Sequence, residues 1–238
     1  MKQFRTIPTL LLLCVAITGC TGKDKSNATL TDAQNAAKSR LEAQIAQAAQ
    51  TKQTYHAMDN SALLNKLMEQ SKAQREPFNS PAYRELKTRT DVDSSSLAAL
   101  VKANGDARGL LPLLLLRKLD NRSYAQVPDE LRAKILTDAL DGSKFFNVWG
   151  LPNFYMEDAS HAMIEAGASA TPALKRMLSD TRPAPVFGGQ EYMVYKQYKY
   201  RLCDYALFFL EKIGANASFR MPVSVTDRDA LIKQMAAK

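Results

Sequence analysis

The sequence predicts an all-α protein, and three observations predict it. Apolar residues recur at helical spacing in nearly every stretch beyond Pro81, and no run there alternates as a half-buried strand would. Helix starts marked by proline and helix ends marked by glycine also recur at a near-constant interval. The nearest approach to a strand, Met221-Pro222-Val223-Ser224-Val225, is short and broken by proline.

The first element is not part of the fold. Lys2 and Arg5 make a basic start, Ile7 to Ile17 makes an apolar run too short to span a bilayer, and Thr18-Gly19 places small residues before Cys20. Ile17-Thr18-Gly19-Cys20 resembles the lipobox of bacterial lipoproteins. That resemblance implies a signal peptide over 1–19, removal of which leaves Cys20 as the acylated first residue. Several acyl chains on Cys20 would hold the protein on a membrane where a single chain would not. Thr21 stands after the cysteine where an aspartate would direct retention, which implies the outer membrane, facing the periplasm.

Removing Lys2 and Arg5 with the signal lowers the formal charge from +8 to +6. This excess is too diffuse to argue for nucleic acid, and an exported protein has little access to it; anionic lipid or wall polymer is the more natural attraction. Cys14 leaves with the signal and Cys20 is acylated, so Cys203 has no partner for a disulfide and reads as a small buried hydrophobe. Residues 20–31, almost without apolar side chains, read as an acylated tether.

Thr31-Asp32-Ala33-Gln34 has the form of a capping box, and Ala37, Leu41, Ile45, Ala48 and Tyr55 then fall near one face of a helix reaching about Ala57. Leu63, Leu64, Leu67 and Met68 mark a second helix, ended by Pro77 and Pro81. Residues 32–76 therefore read as an N-terminal helical hairpin, which either packs on the body or stands off from it. Leu110 to Leu116, interrupted only by Pro112, is apolar on all sides, as a helix covered on both faces should be.

Pro128 and Pro172 open helices that start 44 residues apart, one running to Leu140 and the other through Leu178 to Asp180. They are answered by helices from Met156 to Ala166 and from Lys199 to Ile213, whose closing glycines, Gly167 and Gly214, lie 47 residues apart. Pro172-Ala173-Leu174, Leu178 and Asp180 resemble the first helix of a HEAT repeat and its turn aspartate. Arg201, Ala206, Leu210, Ile213 and Gly214 resemble the second helix, and Ala159, Ala162, Ile164 and Gly167 repeat that pattern one unit earlier. The resemblance implies an α-α superhelix of stacked pairs over 81–238, each pair burying an apolar face against the next. Asp204 departs from it, standing where a small or apolar residue is usual.

Two insertions interrupt the pattern at equivalent places, 143–155 and 181–191, the second leading into Tyr192, Tyr195, Tyr198 and Tyr200. Equivalent positions in stacked repeats lie side by side, so the insertions should meet on one edge. Trp149, Phe154, Tyr155, Phe187, Tyr192 and Tyr195, with Arg182 and Lys196, have the composition of a partner-binding surface. The same rings would equally serve as plugs folded inward to seal the repeats.

Catalytic patterns are not found. Gly167-Ala168-Ser169-Ala170-Thr171 misses the nucleophile elbow at its last residue, and there is no Ser-x-x-Lys, His-Glu-x-x-His, Cys-x-x-Cys or glycine-rich phosphate loop. Asp158, His161 and Glu165 share a helix face but read as a solvated face rather than a metal site, and no cofactor is expected. Glu157, Glu191 and Asp204 have no defined separation that would pair two of them for glycan cleavage. The expectation is a lipid-anchored envelope protein, not an enzyme, that binds a protein partner as an adaptor or assembly factor. The alternatives are an immunity protein against an envelope-directed toxin and a wall-active enzyme with an unrecognised site. If Cys20 is the acylated residue, Cys20→Ala will leave the chain unacylated and unprocessed at that site; metabolic labelling with a fatty acid checks this, and normal labelling of the variant would contradict it.

Overall fold

A computed structural model of the chain describes residues 25–73, 77–216 and 218–237. Cys20, the signal segment and the start of the tether lie outside the described residues. The chain divides into two compact units, 1–49 and 50–238, and is mostly helical, which makes it an all-α protein.

α1 (Lys25–His56) supplies the described part of the first unit, and its last turns belong to the second. It begins inside the stretch expected to be tether, ahead of the cap read at Thr31. Every side chain from Asp32 to Ala49 is exposed, including Leu41 and Ile45, so the narrow stripe seen in the sequence covers nothing within its own unit.

The second unit takes in α2 (Asn60–Ala73), which packs on α3 (Pro81–Leu86) through the buried Leu63, Leu64 and Leu67. The compact body thus starts before Pro81, and the division expected between hairpin and repeats falls inside it. Arg89 holds the junction by donating to the His56 carbonyl and to Asn60 Oδ1, both at 2.9 Å, placing a cation on the carbonyl end of α1. Ser80 caps α3 through the Tyr83 amide, and Pro81 fills the first helical position, where no amide hydrogen is needed.

α4 (Ser94–Ala103), capped by the Asp93 carboxylate, packs on α5 (Leu110–Leu119). All residues from Leu110 to Leu116 are buried, and Pro112 is tolerated because it stands in the first turn. After the short α6 (Asn121–Ala125), α7 (Asp129–Asp141) packs on α8 (Asp158–Ala166), and α9 (Thr171–Met177) packs on α11 (Leu202–Ile213). α7 lies beside α9, while α8 touches α5 on one side and α11 on the other. The proline-opened helices are therefore neighbours, and so are the glycine-closed ones. α11 buries nine consecutive residues, Leu202 to Leu210, each large apolar one contributing at most about 1.5–3 kcal/mol. α12 (Val225–Ala236), capped by Ser224, covers α11 from the C-terminal end.

The described chain departs from the expected pattern in three places. A two-residue antiparallel pair, β1 (Gly150–Leu151) with β2 (Tyr155–Met156), closes the first insertion and takes Met156, so the helix expected from there begins at Asp158, whereas Met221–Val225 forms no strand. Gly150 makes that pair possible: its φ is +77°, and a Cβ there would strike the Tyr155 carbonyl. The second insertion holds a helix of its own, α10 (Gly189–Tyr198), which Lys199 ends in the left-handed region. The last departure is that the helix expected from Lys199 begins only at Leu202.

That late start explains Asp204. Being the third helical residue, it accepts from the Arg201 amide at 2.9 Å and the Arg201 guanidinium at 3.0 Å, the backward half of a capping box reinforced by an ion pair. Arg228 reaches Asp204 Oδ1 at 3.0 Å through Nε, an ion pair rather than a hydrogen bond, and both side chains are wholly buried. Arg228 also donates to the carbonyls of Pro222, Val223 and Tyr198, so one guanidinium ties α12 to the end of α10. Removing the carboxylate strands a buried cation; Asp204→Ala should cost about 3–5 kcal/mol in denaturant unfolding. A loss under about 1 kcal/mol would show that the network is not needed.

Candidate functional site

The two insertions are fastened to each other. Asn147 donates to the Phe187 carbonyl at 2.8 Å and accepts from the Phe187 amide at 3.0 Å, so one side-chain amide mimics a strand partner. The Phe146 amide donates to the Pro185 carbonyl at 2.9 Å. The rings of Phe145 and Phe187 meet edge to face at 5.5 Å, and those of Phe154 and Tyr198 at 5.7 Å. The meeting expected from equivalent repeat positions is present.

Each insertion is also anchored below. Ser160 donates to the Trp149 carbonyl, Tyr205 to Gly150 at 2.8 Å and Tyr200 to Pro152 at 2.8 Å, all from buried hydroxyls. Burial holds the Tyr200 and Tyr205 hydroxyls well above their ordinary pKa, so they remain donors. The ends of the second insertion are drawn together by Ala184 donating to Tyr200 at 2.8 Å and Leu202 donating to Arg182 at 2.9 Å. α10 stands on that closed base with none of its residues buried.

The result is a divided set of rings. Phe154 is 52 % exposed, Phe187 37 %, Tyr192 45 % and Met193 65 %, large apolar surfaces facing water. Tyr155 is partly open; burial, then the nearby Glu191 and Glu157, pushes its hydroxyl up to about 12, so it stays protonated. Tyr195 is half-buried and lies beside Tyr192, their centroids 6.4 Å apart, and Lys196 sits 5.2 Å over the Tyr192 ring.

Two residues expected at this surface belong elsewhere. Trp149 is 1 % exposed, packed on Phe209 at 5.8 Å with its Nε1 donating to Ser143 Oγ at 2.9 Å, so it is core. An indole serves either side of such a loop, and the hydroxyl at Ser143 draws it inward. Arg182 is exposed but held by Asp141 and Asp180, in a polar cleft of about 540 Å³ between α7 and α9. Phe145 and Met193 join the edge without having been singled out, Tyr198 joins it having been named only among the tyrosines after the second insertion, and nothing in the sequence marks Asn147 as the clasp.

The remaining candidates carry ordinary structural roles. Asp158 pairs with Lys87 at 3.3 Å and Glu165 with Arg117, so the polar face of α8 is joined to α3 and α5. Among the described residues no three His, Cys, Asp or Glu side chains could hold a metal ion. Cys203 is buried and its thiol is pushed up to about 11, chiefly by desolvation, which makes it a poor nucleophile. No family model, curated protein or solved structure matches the chain.

The division of rings predicts a division of stability effects. Trp149→Ala should cost about 3–5 kcal/mol in urea unfolding. Asn147→Ala should cost about 1–2 kcal/mol and raise hydrogen exchange in both insertions together. Exchange rising in one insertion alone would contradict the clasp.

Proposed function

We propose that this protein is a lipid-anchored envelope adaptor that binds a protein partner through the edge formed by its two insertions. The observation that carries the reading is the Asn147–Phe187 clasp, which joins two loops so that Phe154, Phe187, Tyr192 and Met193 stay exposed on a supported base. Large exposed apolar side chains cost solubility, and a surface that holds them in place suits association. The adjacency of α7 with α9, and of α8 with α11, supports a HEAT-like superhelix in which per-repeat insertions line one face.

Binding is favoured over glycan cleavage because exposed rings dominate the edge, while its two carboxylates, Glu191 and Glu157, lie near Tyr155 rather than in the polar cleft between α7 and α9. The anchor rests on Cys20 and its flanking pattern. Among the described residues no helix is long and apolar enough to cross a membrane. Acylation would place the adaptor on the periplasmic face of the outer membrane.

The test is capture of partners from detergent-solubilised envelopes by the native chain and by Phe187→Ala and Tyr192→Ala. Each substitution should weaken capture by about 1–4 kcal/mol while changing the melting temperature little. Binding lost only in proportion to unfolding would make these rings structural plugs and end the proposal.

A further inference from the structure

We infer that the segment seated on this edge is acidic: a peptide stretch with Asp or Glu set among apolar side chains. The inference rests on the partner-surface reading and adds the chemistry of the partner. Each exposed ring pair is accompanied by a cation that forms no ion pair among the described residues. Lys144 adjoins Phe145, which packs on Phe187, and Lys196 lies over Tyr192. Lys199 follows Tyr198, which packs on Phe154. Arg220 donates to the Asn153 carbonyl at 3.1 Å, immediately before Phe154, and that is its hydrogen bond to the edge.

Against these four cations the edge offers two carboxylates, Glu191 and Glu157, both near Tyr155, and Arg182 is left out of the balance because Asp141 and Asp180 neutralise it. α10 spans about 15 Å, so charges along it lie within roughly one to two Debye lengths and act on a bound segment together. A basic segment would meet uncompensated repulsion, whereas an acidic one would meet charge complementarity around an apolar centre. Lys199 adds an independent indication. Its φ of +50° is a helix-ending conformation that glycine adopts without strain, yet the position carries an ammonium group.

The experiment uses the full chain in detergent and three fluorescent peptides sharing one Leu/Phe framework, with Glu, Gln or Lys at the other positions. The Glu peptide should bind about tenfold tighter than the Gln peptide at low salt, and that advantage should shrink at about 0.5 M salt. The Lys peptide should not bind. Lys196→Glu and Lys199→Gly should each weaken the Glu peptide several-fold more than the Gln peptide. Lys199→Gly should also keep or raise the melting temperature, since it relieves the positive φ, which separates lost charge from lost fold. Equal binding of the Glu and Gln peptides, both lost in Phe187→Ala, would overturn the acidic partner and leave the edge as a binding surface. Binding by none of the peptides would also overturn it; if capture were then insensitive to Phe187→Ala, the partner-surface reading would fall as well. Displacement of the Glu peptide by micelles containing phosphatidylglycerol, but not phosphatidylcholine, would assign the cations to anionic lipid and end the inference.

Discussion

Three hydroxyl groups anchor the first insertion to the helical core, and the second insertion is clasped to the first. Where the chain leaves α7, its carbonyls lose the helical partners they had, and buried carbonyls without donors are costly. Ser160, Tyr205 and Tyr200 donate to Trp149, Gly150 and Pro152, from α8, α11 and the residues just before α11. The first insertion is thereby fixed to the two glycine-closed helices at once, and the second insertion is fixed to the first through Asn147. Without those donors Trp149 would lose its place in the core, and the outer rings would have no base.

A second polar network performs the corresponding task at the other end. Arg228 collects the carbonyls of Tyr198, Pro222 and Val223 while facing Asp204, so the end of α10 and the start of α12 are held by the same buried cation. Buried ion pairs add little net stability compared with apolar packing, but they penalise alternative arrangements heavily. That asymmetry fits its position here. α10 fully buries none of its side chains, so the half-buried Val194, Tyr195 and Tyr198 are helped by its ends: the clasped Phe187 before it and the Arg228-bound carbonyl at its close.

Much of the architecture was legible because it depends on apolar periodicity. The Leu110–Leu116 run, the starts near Pro128 and Pro172, and the ends at Gly167 and Gly214 follow from local rules, and the meeting of the insertions was expected from the interval between the helix starts. The features that escaped depend on single contacts. α10 opens on Gly188-Gly189 and its stripe is only Val194, Tyr195 and Tyr198, with the apolar Met193 on the opposite, exposed side, so its periodicity is weak. β1–β2 needs a positive φ at Gly150, and the break at Lys199 needs a lysine in a conformation typical of glycine. Trp149 and Phe187 look alike in the sequence, and their opposite fates are decided by Ser143 and Asn147. Asp204 looked like a violation of the repeat because its partners, Arg201 and Arg228, are defined only once the helix start is known.

On the proposed reading, a rigid helical body presents the joined insertions as its contact surface. Hydrogen-exchange mass spectrometry of the native chain, alone and with its captured partner, tests it most directly. Partner-induced protection confined to residues 143–156 and 185–200, with α4, α5 and α7 unchanged, is the predicted result. Protection centred on α1 or on the cleft between α7 and α9, with the insertions unaffected, would contradict it.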